Sequence, residues 1–280
     1  MPTFNTPEPI SATIDLAAAD VRIIATDRQD TVVEVRPSNS AHEPDVKVAE
    51  QTKVDYTAAG LLIKGPKQRG IGLRKIGSVD VTVELPAGSQ LEADAGVGAL
   101  RLTGQLGKCR VKMGAGDVEL DRVGPLDLHT GAGAGTVEHV AGHAEITAGS
   151  GRLRVSQIDG SAVIKNSNGE TWVGDITGDL RVNAGNGAIL VSHAAADVTA
   201  SSANGEIRVD DLTRGSASLK TGFGGIYFGI HAGTAARLDA YTRFGSVRNS
   251  MEAANSPEPS DEVLEVLART SFGDIVIRRS

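Results

Sequence analysis

At 280 residues, 40% of them hydrophobic, the chain is long enough to bury a sizeable core and is not a disordered tail. A formal charge of −7 opposes a phosphate-tracking surface, which would need clustered Lys and Arg to release counterions, so nucleic acid is not an expected partner. Cys109 stands alone, Met1 to Asp20 has no basic n-region or apolar stretch, and no apolar run is long enough for a membrane span, which together predict a cytoplasmic protein off the membrane.

In chain order, residues 1–86 hold uneven strand-like segments: ATIDL, DVRIIAT, TVVEVRP, LLIKG and VDVTVELP. A looser loop is expected around Ser38 to Asp45, and a basic turn at KGPKQRGIGLRK. The stretch is expected to be a β capping region continuous with the repeats of residues 87–280, because a bare terminal coil is an exposed strand edge.

Within those repeats Gly151, Gly169, Gly187 and Gly205 stand 18 apart, and Gly98, Gly116 and Gly135 extend the series upstream at intervals of 18 and 19. Two residues past each of the later glycines come Leu153, Thr171, Ile189 and Ile207; four past come Val155, Val173, Val191 and Val209. Polar columns lie between them, and alternation of period two argues strands with one buried face. Further apolar columns (Ile158, Ile176, Ala194, Leu212, then Ile164, Val182, Ala200) supply another wall, giving two or three short strands per repeat. So short a unit cannot bury its own apolar face, whereas stacked units make a continuous core. The fold expected is all-β: a single-stranded parallel β-solenoid, right-handed by the crossover rule, with about 18 residues per coil.

The residue before each glycine is Asn168, Asn186 or Asn204, so stacked amides are expected to hydrogen-bond along the axis. Farther on, the slot changes to Phe223, Phe244 and Phe272 within a T-x-F-G pattern, which predicts that the core passes from an amide stack to an aromatic stack. MEAANSPEPSDE, 251–262, reads as a polar loop inserted between the last two coils.

These segments resemble the DUF4097 β-strand-repeat family, the adhesin-type β-solenoids, in its actinobacterial leaderless form. The resemblance covers nearly the whole chain and is carried by ADVRIIATDRQDTVVEVRPS, VDVTVELPAGSQLEADAGVGALRLTG, KNSNGETWVGDITGDLRVNAGNG and RTSFGDIVIRRS. It implies a β-solenoid of undefined biochemical role and brings no catalytic residues with it.

Chemistry is sparse. GAGAG at Gly131 to Gly135 lacks the following helix and the GK[ST] of a phosphate loop. The column Asp175, His193, Asp211 could gather a divalent ion, but a solvated polar edge is the expected role, and no cofactor is expected. Asp117, Glu119, Asp121 and Glu138 form an acidic patch that would suit a carbohydrate-binding or carbohydrate-cleaving β-helix, the alternative function. Against it, glycoside hydrolysis needs a carboxylate pair set in a cleft, and short even turns leave little room for one. Strand parity places Trp172 outward in the column Arg154, Trp172, Leu190, Arg208, whose composition is that of an interface hot spot. The sequence therefore predicts a non-enzymatic scaffold or protein-interaction module, engaging an unknown protein partner or a second copy of itself.

Overall fold

The computed structural model describes residues 1–66, 77–251 and 262–280. The basic turn expected at 64–75 and the polar loop expected at 251–262 fall, but for their outermost residues, outside the described residues. The chain divides into two compact units, Met1–Glu138 and His139–Ser280.

In the first unit the elements are β1 (Thr3–Asn5), β2 (Ser11–Thr26), β3 (Asp30–Pro37), α1 (Glu43–Gln51), β4 (Lys53–Thr57), β5 (Gly60–Lys64) and β6 (Val79–Pro86). They are followed by β7 (Gln90–Gln105), β8 (Cys109–Ala115), β9 (Val118–Val123), β10 (Leu126–Ala132) and β11 (Gly135–Val140), in which the division falls. β2 buries Ala12, Ile14 and Leu16, then changes phase and buries Ala19, Val21 and Ile23, so one strand turns a corner and lines two walls. It lies parallel to β7 on one flank and to β5 and β6 on the other. Residues 11–26 and 60–64 with 79–86 are therefore solenoid coils, not the irregular cap that the sequence suggests. No glycine marks the β2 corner, which is why a glycine count overlooks this coil. Capping falls instead to β1, β3, β4 and α1: β3 runs antiparallel to β6, β4 to β5, and β1 to β3.

Helix α1 occupies part of the stretch expected to be a loop. Pro44 in its first turn is preorganised for a helix start, and Glu43 and Asp45 face the positive end of its dipole. Asp45 is buried and accepts from the backbone N–H of Ser78 and Asn39 and from the His42 ring, at 2.9, 3.1 and 2.7 Å. The Ser78 bond first, then His42, holds its carboxyl below the usual range.

The second unit begins with β12 (Ala144–Ser150), β13 (Leu153–Ile158), β14 (Ala162–Asn168), β15 (Thr171–Ile176), β16 (Leu180–Asn186) and β17 (Ile189–Ala194). It continues with β18 (Val198–Asn204), β19 (Ile207–Leu212), β20 (Gly215–Phe223), β21 (Ile226–Ile230), β22 (Thr234–Phe244), β23 (Val247–Asn249), β24 (Glu262–Phe272) and β25 (Ile275–Arg279). Each repeat thus supplies two strands, and each strand lies parallel and in register on its equivalent one repeat later: Ile146 on Ile164, Ile164 on Val182, Val182 on Ala200. All four are fully buried.

The corner between the two strands of a repeat is too tight for a side chain. Gly187 has φ +142°, and a Cβ there would lie 2.1 Å from the carbonyl oxygen of Gly169. In the first unit the corner glycine is Gly133, not Gly135. Pairing of Leu126 and Leu128 with Cys109 and Val111 sets the register, and Ala132 then lies on Ala115. Apolar columns, not glycine spacing, decide which member of GAGAG turns the corner.

Asn186 Nδ2 donates to Asn168 Oδ1 and Asn204 Nδ2 to Asn186 Oδ1, each at 2.8 Å, but all three side chains are exposed. The phenyl rings stack as well: Phe223 and Phe272 at 4.8 Å and 1°, Phe272 and Phe244 at 4.9 Å and 13°. These rings are 43–56% exposed, so the aromatic stack is an external ridge and not the continuation of the core. The core side of that corner is polar. Thr221, Thr242 and Thr270, the threonines of T-x-F-G, donate to the corner carbonyls of Gly205, Gly273 and Gly224 at 2.8–2.9 Å. Asn166 fills the same position two coils earlier in the chain than Ser202; it is buried and shares its amide N–H groups among Gly151 O, Gly169 O and Thr171 Oγ1.

The last coils do not stack in chain order. β24 lies between β20 and β22, parallel to both, and β25 lies between β21 and β23. The T-x-F-G coils are so alike that sequence spacing cannot order them.

Removing the buried Asn166 amide strands two carbonyls and a hydroxyl, so Asn166→Ala should cost about 1–3 kcal/mol, whereas exposed Asn186→Ala should cost less than about 1 kcal/mol. Denaturant unfolding of the two variants side by side checks the order. Because the Asp45 pKa is depressed, its contribution is complete above the unfolded value of about 3.9 and is lost as pH falls through the lower folded value. Asp45→Asn should therefore lower the melting temperature at pH 7, and the gap from wild type should close below about pH 4 in a pH series of melts.

Candidate interaction face

Arg154, Trp172, Leu190 and Arg208 are one ladder column: Arg154 pairs with Trp172 across β13 and β15, Trp172 with Leu190, and Leu190 with Arg208. The neighbouring inward residues Val155, Val173, Val191 and Val209 are buried, which forces this column outward. Trp172 is half-buried. The edge of its ring reaches Gly174, 3.0 Å from where a Cβ would stand, and the Arg154 guanidinium sits over the ring, 3.8 Å from its centroid. Gly174 is thus the seat of the indole, and Arg154 a cation–π lid.

The column continues past the residues picked from the sequence. Arg208 pairs with Tyr227, and Tyr227 with Val276. The Tyr227 ring lies across the glycine two residues before it, Gly225, whereas Trp172 lies across the glycine two residues after it. Counting along the column could have found it, but the coil there is 19 residues long, so Tyr227 falls one place past the 18-residue count from Arg208. Arg208 Nε bonds Asp210 at 2.8 Å, and Arg278 reaches the same carboxylate at 3.1 Å. The Asp210 bond raises the Arg208 pKa, so its charge is fixed. A hollow of about 90 Å³ lies among Arg208, Asp210, Tyr227, Val276 and Arg278.

Asp175, His193 and Asp211 also stack in register. The hydrogen bonds gather on Asp211: His193 Nδ1 at 2.8 Å, His231 Nδ1 at 3.0 Å, and the Ser280 hydroxyl at 2.6 Å. Burial raises the Asp211 pKa, and Ser280, His231 and His193 together outweigh it, leaving it lowered. The ring nitrogens face a carboxylate that they share, and among the described residues no group of three His, Cys, Asp or Glu side chains is arranged to hold a metal ion.

The acidic patch is committed to coil-to-coil bonding. Asp117 accepts the Ala134 N–H at 2.8 Å, Asp121 the Gly104 N–H at 2.9 Å, and Glu119 pairs with Arg101 at 3.1 Å. Burial pushes the Cys109 thiol up to about 12, so it packs as an apolar side chain and is inert as a nucleophile. No described helix is long and apolar enough to cross a membrane.

The chain belongs to the DUF4097 family: the family model, Toastrack DUF4097, matches residues 11–221. No curated protein sequence matches it. Among solved structures it is similar to a protein of Parabacteroides distasonis named for lipid binding, at 13% identity, TM-score 0.42, with 100% of this chain and 95% of that one covered. It is also similar to one of Clostridium sporogenes named for cell adhesion, at 10% identity, TM-score 0.20, with 100% and 98% covered.

Arg154→Ala should uncover the indole and move tryptophan emission to longer wavelength, while costing no more than the ~0.5–1 kcal/mol of an exposed cation–π contact. Trp172 is the sole tryptophan, so the spectrum of the purified variant reports on it directly.

Proposed function

We propose that the protein is a non-enzymatic scaffold whose second unit presents the column Arg154, Trp172, Leu190, Arg208, Tyr227 as a docking face for a protein partner. The observation that carries this is the seating of Trp172: a partly exposed indole, set against Gly174, on a backbone that is hydrogen-bonded coil to coil. An anchor of this kind is already ordered, so binding loses little side-chain entropy, and an aromatic flanked by arginines is the composition of interface hot spots. A fully buried indole takes about 150–250 Å² from water, and a partner would cover the part of this that the fold leaves exposed. The fixed charges of Arg208 and Arg278 around Asp210 would set the orientation of the partner more than the strength of binding. A reducing, cytoplasmic setting suits the unpaired Cys109.

Crosslinking in the native extract, followed by affinity capture, should yield a partner with the wild-type chain and lose it with Trp172→Ala, which should remain folded with an unchanged circular dichroism spectrum. Equal capture by the two would sink this assignment. Glu145→Ala, on β12 and outside the column, serves as a control that should capture the partner as the wild type does.

A further inference from the structure

Among the described residues the coil formed by β22 and β23 is open on one flank. Among the described residues β22 has a ladder partner on one flank only, β24, and β23 likewise only β25. On β24 the inward residues Leu264, Val266 and Ala268 are buried at 0, 3 and 0% exposure. Their counterparts on β22, Ala236, Leu238 and Ala240, are only half-buried, and Val247 on β23 is 44% exposed where its neighbour Ile275 is buried. Among the described residues the core thus reaches the β22 edge uncovered, alongside an eleven-residue row of backbone groups with no strand on its second flank. Such an edge is a template for another strand.

The charges on that edge say which strand. Arg237 and Asp239 flank Leu238 on the outward side. Two copies of β22 paired antiparallel about a twofold axis must keep inward residues opposite inward residues, because a one-residue slip turns the apolar set to solvent. Centred on Arg237 or on Asp239, the pairing sets like charges directly opposite each other. Centred on Leu238, it sets Arg237 against Asp239 of the second copy twice over, Leu238 against Leu238, and Ala236 against Ala240. Asp239 is held ionised by Arg269, whose bond lowers its pKa, so the acceptor charge is in place.

We propose that the chain forms a twofold dimer by antiparallel pairing of β22 with β22 of a second copy, in the register centred on Leu238. This contact is separate from the Trp172 face and leaves that face free.

Sedimentation velocity over a concentration series should show a monomer–dimer equilibrium. Arg237→Asp and Asp239→Arg should each raise the dimer dissociation constant about tenfold or more, since both opposed pairs become like-charged. An equimolar mixture of the two variants should regain the dimer, because a chain with two acids at these positions then meets a chain with two bases, and both opposed pairs are again of opposite charge. With oxidised glutathione, Leu238→Cys should give a disulfide-linked dimer, since directly opposed antiparallel residues lie within disulfide reach, while Ala236→Cys alone should not. Cys109, buried, should stay out of the reaction. A wild-type chain that is monomeric throughout, a dimer unmoved by either charge change, a mixture that stays monomeric, or equal crosslinking of both cysteine variants would each overturn the proposal. Trp172→Ala should leave this dimer intact, and Arg237→Asp should leave capture of a partner intact, so the two surfaces are tested apart.

Discussion

Parallel stacking in strict register is the constraint from which the rest of this protein follows. When each strand lies on its equivalent one repeat away, every residue sees its own equivalent about 4.8 Å above and below. Side chains that gain from meeting their own kind are therefore aligned together: amides along Asn168, Asn186 and Asn204, rings along Phe223, Phe272 and Phe244. The ring spacing of 4.8–4.9 Å is the ladder spacing itself, which leaves the stack dictated by the backbone and not by the aromatics. The same rule brings His193 against Asp211 and lines up Arg154, Trp172 and Leu190.

That regularity explains what could be read from the sequence and what could not. A column is a period, and periods survive in a string of letters: the inward valines and the outward Trp172 are both placed by counting. Depth does not survive in the same way. Whether a corner residue faces in or out depends on which side of the turn the chain takes. The Phe slot is external for that reason, and Asn166, two residues before Asn168, is the buried amide. Aperiodic detail was equally hidden, as with Gly174 beneath the indole. Helix α1 left a signal in HEPDVKVAEQ, an acidic first turn around a proline, that strand-like surroundings obscured.

Polar groups at the corners do a second job. At the corners of Gly151, Gly169, Gly205, Gly224 and Gly273 a backbone carbonyl meets a polar side chain, and an unpartnered buried carbonyl would be costly. The protein meets this with short hydroxyl side chains, Thr221, Thr242 and Thr270, and with the Asn166 amide, one coil bonding the corner of another. Aspartates such as Asp117, Asp121, Asp197 and Asp274 do the converse for backbone N–H groups. The acidic composition is thereby partly structural: carboxylates that look available in the sequence are already engaged.

The position of β24 between β20 and β22 has a consequence for how the chain is made. Synthesis delivers β22 and β23 before β24 exists. At that moment the parallel surface that matches β22 is β20, whose Thr221 and Phe223 offer Thr242 and Phe244 the same partners that Thr270 and Phe272 later supply. A nascent chain can close its growing solenoid one coil too soon, ring upon ring, and the final strands must then prise that contact open to take their place. Local resemblance between coils, which makes the finished stack regular, is in this segment a source of kinetic traps during folding.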